Sequence, residues 1–347
     1  MKFSSRKKEI LKQVILNFID KAEPVSSQVL VENLKNEISS ATIRKEMADL
    51  EDMGYLSHPH TSAGRIPTDA GYRYYVDNVI FNDKKSIASQ KEDLTPLNLP
   101  VNREMDLETI LALSTDTLSK FTNYLSVIVT PEINQIKLRH IELLKFEDND
   151  YLFVLITDSG RVYKKRFSVA GGYNDIDLQR ITNILNSQAR GKLINEIAFE
   201  NTLKIAENEK YLVFLINKIL GMIKSCVEVN NSYNRIFVRG TFCIFKDPEF
   251  LDFKKVKKVM DVLENEYLLM KIFLSFSGEN EISVKIGSEI YGSETDDLSL
   301  IASKYKINEN SSGSIGILGP KRMNYIKMIS ILSRFSSKLT DLLYYKT

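Results

Sequence analysis

The chain has 347 residues, 43% of them hydrophobic and 27% charged, which describes a globular protein of two or three domains and excludes a disordered or fibrous one. Lys and Arg number 47 against 45 Asp and Glu, a net charge of +2; this excludes binding of polyanions by bulk charge and leaves open a local basic surface. Two cysteines, Cys226 and Cys243, and three histidines, His58, His60 and His140, exclude a disulfide scaffold and a four-cysteine metal site and argue against histidine-cluster chemistry.

Residues 1–80 read as a unit of short helices. Ile10, Leu11, Val14, Ile15, Phe18 and Ile19 recur at helical spacing, and Pro24 in EPVSS (23–27) stops this first helix. Ser26 or Ser27 caps a second helix over about 28–35. The pair Ser39-Ser40 caps a third, which runs to about Met53 and ends where Gly54 permits a left-handed backbone. Tyr55 and Leu56 begin an extended stretch, and HPHTSAGRIPT (58–68) reads as a hairpin loop. Thr68 caps a last helix carrying Tyr72, Tyr75, Val76 and Val79.

Residues 81–102 are polar, hold Pro96 and Pro100, and read as a linker. Residues 103–121 are amphipathic and helical. Strands are expected at 123–130, 136–146, 151–157 and 161–169, with Asp158, Ser159 and Gly160 forming a hairpin turn. Residues 175–228 read as mainly helical, 235–245 as strand and 250–273 as one long helix. Strands at 282–287, 298–305 and 314–319 follow, then an amphipathic helix over about 322–344 that begins near Pro320. The fold class is α+β. No run approaches 18 apolar residues, so no membrane span is expected, and the N-terminal residues lack a secretory h-region. With two unpaired cysteines, an intracellular setting follows.

The order helix, helix, helix, hairpin is that of a winged helix-turn-helix. At 100° per residue, Ile43, Met47 and Leu50 of the third helix fall within about 60° and form a core face. Ala41, Lys45, Ala48 and Asp52 lie opposite, with Thr42 and Arg44 on the flanks. Small residues let a helix enter the major groove, and Thr, Arg and Lys reach base edges and phosphates. Ser39 and Ser40 stand where a helix N-terminus holds a phosphate. The same face also suits a protein partner, and both readings stay open. Residues 1–80 carry 11 basic and 11 acidic side chains, so DNA affinity rests on where charges sit. In the loop, His58, His60, Thr61, Ser62 and Arg65 suit a wing touching phosphate or minor groove. The alternative is a solvated turn; a metal site would need further ligands.

Tyr211, Phe214, Leu215, Ile219 and Met222 lie in an apolar stretch, 211–223, which forms either a core of its own or a contact with a second chain. KKVKK (254–258) reads as a solvated helix face among Asp252, Asp261, Glu264 and Glu266. Residues 301–347 hold 8 basic and 2 acidic side chains, which suits proximity to DNA and simple solvation equally. There is no Walker GxxxxGK[ST], GxGxxG or GxSxG, so an enzyme finds no support.

PVSSQVL (24–30), SSATIRKEMADLEDMGYL (39–56), HPHTSAGRIPTDAGYRYYVD (58–77) and GPKRMNY (319–325) resemble the HrcA family of bacterial heat-inducible transcription repressors. This chain has Ser26 where the family usually has Gly, Lys45 for Asn, and Lys321 and Asn324 for Thr and Asp. The resemblance implies a winged-helix domain (1–80), a GAF-like domain (103–171 and 231–347) and an inserted dimerising domain (172–230). The strands at 123–169 and 282–319 would then share one sheet. It implies a homodimer on an inverted-repeat operator, CIRCE, repressing chaperone operons, with GroEL-type chaperonin maintaining activity. No cofactor, catalytic residue or metal is expected, and the setting is cytoplasmic. GAF-like domains also hold small ligands, so the alternative is a metabolite-responsive winged-helix regulator with its effector in the GAF-like domain.

Overall fold

The structure of the protein is a computed structural model that describes residues 3–34, 38–59, 64–81, 100–101, 105–131, 136–199, 207–229, 236–246, 250, 252–275, 282–309 and 311–344. The N-terminal part holds α1 (Ser5–Lys21), α2 (Ser27–Asn33), α3 (Ser40–Asp52), the short strands β1 (Leu56–Ser57) and β2 (Ile66–Pro67), and α4 (Asp69–Tyr75), which continues through a π turn to Ile80. All four helices start on a hydroxyl cap. Ser4, Ser26, Ser39 and Thr68 accept from the backbone N–H of Lys7, Val29, Thr42 and Gly71, each cap contributing about 1 kcal/mol. The first helix ends earlier than Pro24: Ala22 takes the left-handed conformation (φ 56) and donates to Phe18. Ile10, Leu11, Val14 and Ile15 of α1 pack with Leu30, Ile43, Met47, Leu50, Leu56, Tyr72 and Tyr75. Most of the expected linker, residues 82–99 and 102, lies outside the described residues.

The chain continues with α5 (Leu107–Thr122), β3 (Leu125–Val129), β4 (Leu138–Glu147), β5 (Asp150–Thr157), β6 (Val162–Ser168), α6 (Asp175–Ala189), α7 (Ile194–Phe199) and α8 (Val213–Val229). Then come β7 (Ile236–Arg239), α9 (Phe253–Glu264), α10 (Glu266–Leu274), β8 (Ile282–Ile286), α11 (Ser288–Tyr291), β9 (Leu298–Lys306), β10 (Ser312–Pro320) and α12 (Tyr325–Tyr344). Helix and sheet are thus mixed, as an α+β chain requires.

Five strands form one antiparallel sheet in the order β7-β3-β10-β9-β8. Side chains alternate across it with the period of two that strands impose. Ile128, Ile301, Ile315 and Ile317 face a cluster with α5, α12 and the N-terminal helices. Leu125, Val127, Val129, Leu300 and Ala302 face α9 and α10.

The strands β4, β5 and β6 form a separate antiparallel sheet, which corrects the expectation that 123–169 and 282–319 share one. Their inward residues, Ile141, Leu143, Tyr151, Phe153 and Leu155, pack on Leu178, Ile181 and Leu185 of α6 and on Leu215, Ile216 and Ile219 of α8. Alternation identifies a strand but not its neighbour, so the sequence pattern carried no information about this division. Three further boundaries move. The expected strand 235–245 stops at Arg239; Gly240 turns with φ +82, and a Cβ there would stand 2.8 Å from the Tyr124 carbonyl oxygen. The expected long helix 250–273 breaks at Asn265, whose side chain caps α10 by accepting from Leu268. Pro320 closes β10 rather than opening α12, and Asn324 accepts from Lys327 N–H at the start of that helix.

The N-terminal helices share one apolar cluster with α5, α12 and the five-stranded sheet. Polar contacts frame that junction. Lys321 Nζ lies 2.6 Å from Asp69 Oδ1. Arg73 pairs with Glu289 and donates to the Val284 carbonyl at 2.8 Å. Among the described residues, no helix is long and apolar enough to cross a membrane.

Candidate nucleic-acid interface

The helix α3 places its side chains as the 100° spacing requires. Ile43, Met47 and Leu50 are buried. Ala41, Arg44, Lys45 and Ala48 are exposed and Thr42 is half-buried. Ser39 Oγ caps Thr42 N–H at 3.3 Å and meets Thr42 Oγ1 at 2.9 Å. Ser40 Oγ meets Ser27 Oγ at 3.1 Å, so the turn between α2 and α3 is fixed by a hydroxyl pair. Ser39, Ser40, Thr42, Arg44 and Lys45 therefore occupy the first two turns of one helix, with the two cations facing solvent.

Three of the four acidic residues of this helix are engaged elsewhere; the fourth, Asp52 at its C-terminal end, is exposed and makes no ion pair among the described residues. Lys7 of α1 reaches Asp49 at 3.0 Å and Glu46 at 3.5 Å. The hydrogen bond to Asp49 and both carboxylate charges raise the Lys7 pKa, against partial burial. Glu51 hydrogen-bonds the His58 ring and forms an ion pair with Arg65, whose Nε lies 2.6 Å away. Burial pushes the Glu51 carboxyl up, but the His58 hydrogen bond and the Arg65 charge outweigh it and hold the pKa below its ordinary value. With Glu46, Asp49 and Glu51 so occupied, Arg44 and Lys45 have no ion pair among the described residues. The neutral total charge of residues 1–80 thus conceals a positive patch on the first two turns of α3.

The strands β1 and β2 pair antiparallel, Leu56 opposite Pro67 and Ser57 opposite Ile66. They carry the two arms of the loop. His58 lies on the first arm and Arg65 on the second; His60, Thr61 and Ser62 lie outside the described residues. The second arm is pinned by its backbone as well, since Arg65 and Val25 exchange two hydrogen bonds of 2.9 Å. The approach is close enough that a Cβ on Gly64 would stand 2.5 Å from the Val25 carbonyl carbon. Among the described residues, no group of His, Cys, Asp and Glu could hold a metal ion.

The stretch 211–223 divides by face. Leu215, Ile219 and Met222 are buried in the core formed by α8 and the three-stranded sheet, so these three do not line a surface for a second chain. Tyr211 and Phe214 are exposed; the Tyr211 hydroxyl donates to Asp177 at 2.8 Å. The pairing residues Lys7 and Glu51 were missed from sequence. Each lies in an ordinary charged position, and nothing local to it reveals which partner the fold supplies.

A family model described as HrcA protein C terminal domain matches residues 108–329. The heat-inducible transcription repressor HrcA of Alkaliphilus metalliredigens is 34% identical over 343 residues, covering 99% of this chain and 98% of the relative. The chain belongs to the HrcA family. The HrcA repressor of Pelotomaculum thermopropionicum is 32% identical over 351 residues, covering 99% of this chain and 97% of its own. HrcA proteins are heat-inducible transcription repressors, not enzymes. A crystal structure at 2.2 Å resolution of a protein described as hypothetical superposes with a TM-score of 0.63 at 23% identity, covering 100% of both chains. That likeness concerns the fold alone.

Proposed function

We propose that this HrcA protein binds an inverted-repeat DNA operator, CIRCE, as a homodimer and represses heat-shock chaperone operons. In this reading residues 1–80 form a winged helix-turn-helix with α3 as the reading helix and the 58–65 loop as the wing. The five-stranded sheet and its helices form the GAF-like domain, and the unit built from β4 to α8 is the insertion. The observation that carries the proposal is the charge sorting on α3. Three of its four carboxylates, at 46, 49 and 51, are paired away and the fourth, Asp52, lies at the far end of the helix, while Arg44 and Lys45 stand open beside the small residues Ala41 and Ala48. Phosphate contacts would position the helix and base contacts would specify the site. Lys45 brings a point charge where the family usually has Asn, so it suits phosphate or guanine rather than a bidentate adenine contact. The test is selection of bound duplexes from a random pool. Recovery of an inverted repeat is expected; equal affinity for that repeat and scrambled DNA at fixed salt would refute the reading.

An inverted repeat calls for a two-fold protein. The outer face of the three-stranded sheet supports self-pairing. Leu144, Phe146 and Val162 are exposed on it, beside the half-buried Leu152, Val154 and Ile156 of the central strand. Glu142 lies on one flanking strand and Lys164 and Arg166 on the other, so a copy rotated about an axis along the strands would set opposite charges face to face. Sedimentation of Phe146→Glu should give a monomer. Chaperonin coupling, by GroEL-type chaperonin in a cytoplasmic setting, is read through recovery. Operator binding after mild heating and cooling should return further with chaperonin and ATP than without.

A further inference from the structure

Glu51 has no local reason to be where it is. It stands in the last turn of α3, where a carboxylate faces the negative end of the helix dipole. Its two oxygens are instead spent on the hairpin: Oε1 on His58 Nδ1 of the first arm, Oε2 on Arg65 Nε of the second. The Arg65 Nε is buried and its approach is that of an ion pair rather than a straight hydrogen bond. Among the described residues, neither Nη group of Arg65 makes a hydrogen bond. The arginine is thus held at its inner nitrogen, while the backbone of the same residue is held by Val25 at 2.9 Å on both sides.

We propose that Glu51 is a specificity-determining positioning residue that aims Arg65 and ties both wing arms to the reading helix. This rests on the DNA-binding reading above and adds a residue outside the contact face. An arginine fixed at Nε presents its two Nη groups as a preset fork, so less rotamer freedom is lost when they meet an acceptor. The same carboxylate also places a negative charge close to the duplex, which disfavours loose, purely electrostatic binding. Removing that charge therefore acts in opposite directions on the two modes. The aimed contact on the operator weakens, while binding to arbitrary duplex does not.

The experiment compares wild type, Glu51→Gln, Arg65→Lys and the double variant of the full chain, each titrated with the selected inverted repeat and with scrambled duplex at one salt concentration. Glu51→Gln should lose roughly tenfold in operator affinity, the scale of one aimed charge contact. Scrambled-duplex affinity should hold or rise, by up to roughly threefold. Lysine has no inner nitrogen for Glu51 to grip, so Arg65→Lys should lose operator affinity similarly, and the double variant should lose little more. A proportional fall on both duplexes would make Glu51 a merely structural residue and overturn the proposal. Unchanged affinities, or fully additive losses, would overturn it equally. Wild type that fails to prefer the repeat would sink the DNA-binding reading itself, a result separate from these.

Discussion

Replacing Ile219 by alanine tests whether α8 is core or interface. Ile219 is 0% exposed and packs among the sheet residues of its own chain, whereas Phe214 one and a half turns earlier is 64% exposed. Ile219→Ala removes about three buried carbons at about 0.8 kcal/mol each, roughly 2.4 kcal/mol of transfer energy. The cavity left behind brings the expected loss to about 3–4 kcal/mol. Phe214→Ala should cost less than about 0.5 kcal/mol. Urea unfolding of both variants and wild type, at two protein concentrations a hundredfold apart, separates the cases. If α8 is internal, the gap between wild type and Ile219→Ala stays constant on dilution, because the subunit contact is untouched. A gap that widens on dilution, or a Phe214→Ala loss as large as that of Ile219→Ala, would place α8 at the interface and refute the reasoning.

Arg44→Ala should lose about 1–3 kcal/mol of operator binding in a titration if the side chain reads a base, with unchanged circular dichroism; wild-type binding would mean that another face of α3 meets DNA. Ser39→Ala leaves the Thr42 N–H without its cap and should lower unfolding free energy by about 1 kcal/mol, checked by urea titration. Acid should weaken the hairpin. The Glu51 pKa is held below its ordinary 4.5 in the fold, so its contacts with His58 and Arg65 stabilise above that value and their contribution is lost as pH falls through the lower folded value. Stability measured from pH 6 downward should therefore drop less steeply in Glu51→Gln than in wild type; equal slopes would show that these contacts contribute nothing.

The N-terminal helices were legible because their signals are local. Ser39 caps the residues next to it, Ile43, Met47 and Leu50 carry the helical period, and Gly54 takes φ +80 just past the helix. The strands were legible one at a time for the same reason. Their assembly was not: Leu125–Val129 pairs with Ser312–Pro320, far along the chain, while the neighbouring Leu138–Glu147 does not join that sheet. An alternating strand carries no label for its partner. The charge pairing on α3 was hidden in the same way. Lys7 lies far in sequence from Glu46 and Asp49, and only the packing of α1 on α3 brings the three together. The division of 211–223 into a buried and an exposed face needed the sheet it covers, because a helix with apolar residues nearly all round does not announce which side has a neighbour.

The N-terminal helices and the five-stranded sheet meet at a junction with a polar frame and an apolar centre. Helix α4 follows the second hairpin arm directly, and Asp69 at its start meets Lys321. Gly287, with φ +58, lacks the Cβ that would overlap Asp69. Arg73 one turn on meets Glu289 and the Val284 carbonyl. These are half-exposed ion pairs worth about 0–1 kcal/mol each, too little to hold two units together. The apolar cluster that Tyr72, Tyr75, Met323, Tyr325 and Met328 share stabilises the contact far more, since each such side chain contributes about 1.5–3 kcal/mol on burial. The cluster therefore holds the contact, with the ion pairs at its edge. On the dimer reading, two reading helices keep a fixed spacing only while both junctions are intact. Heat that loosens the sheet or α12 removes the surface on which α4 sits, and the spacing goes with it, even where α1 to α3 stay folded. On the proposed reading, the quantity that would set repression is the fraction of chains with this junction assembled, and a folding assistant would change that fraction without touching α3.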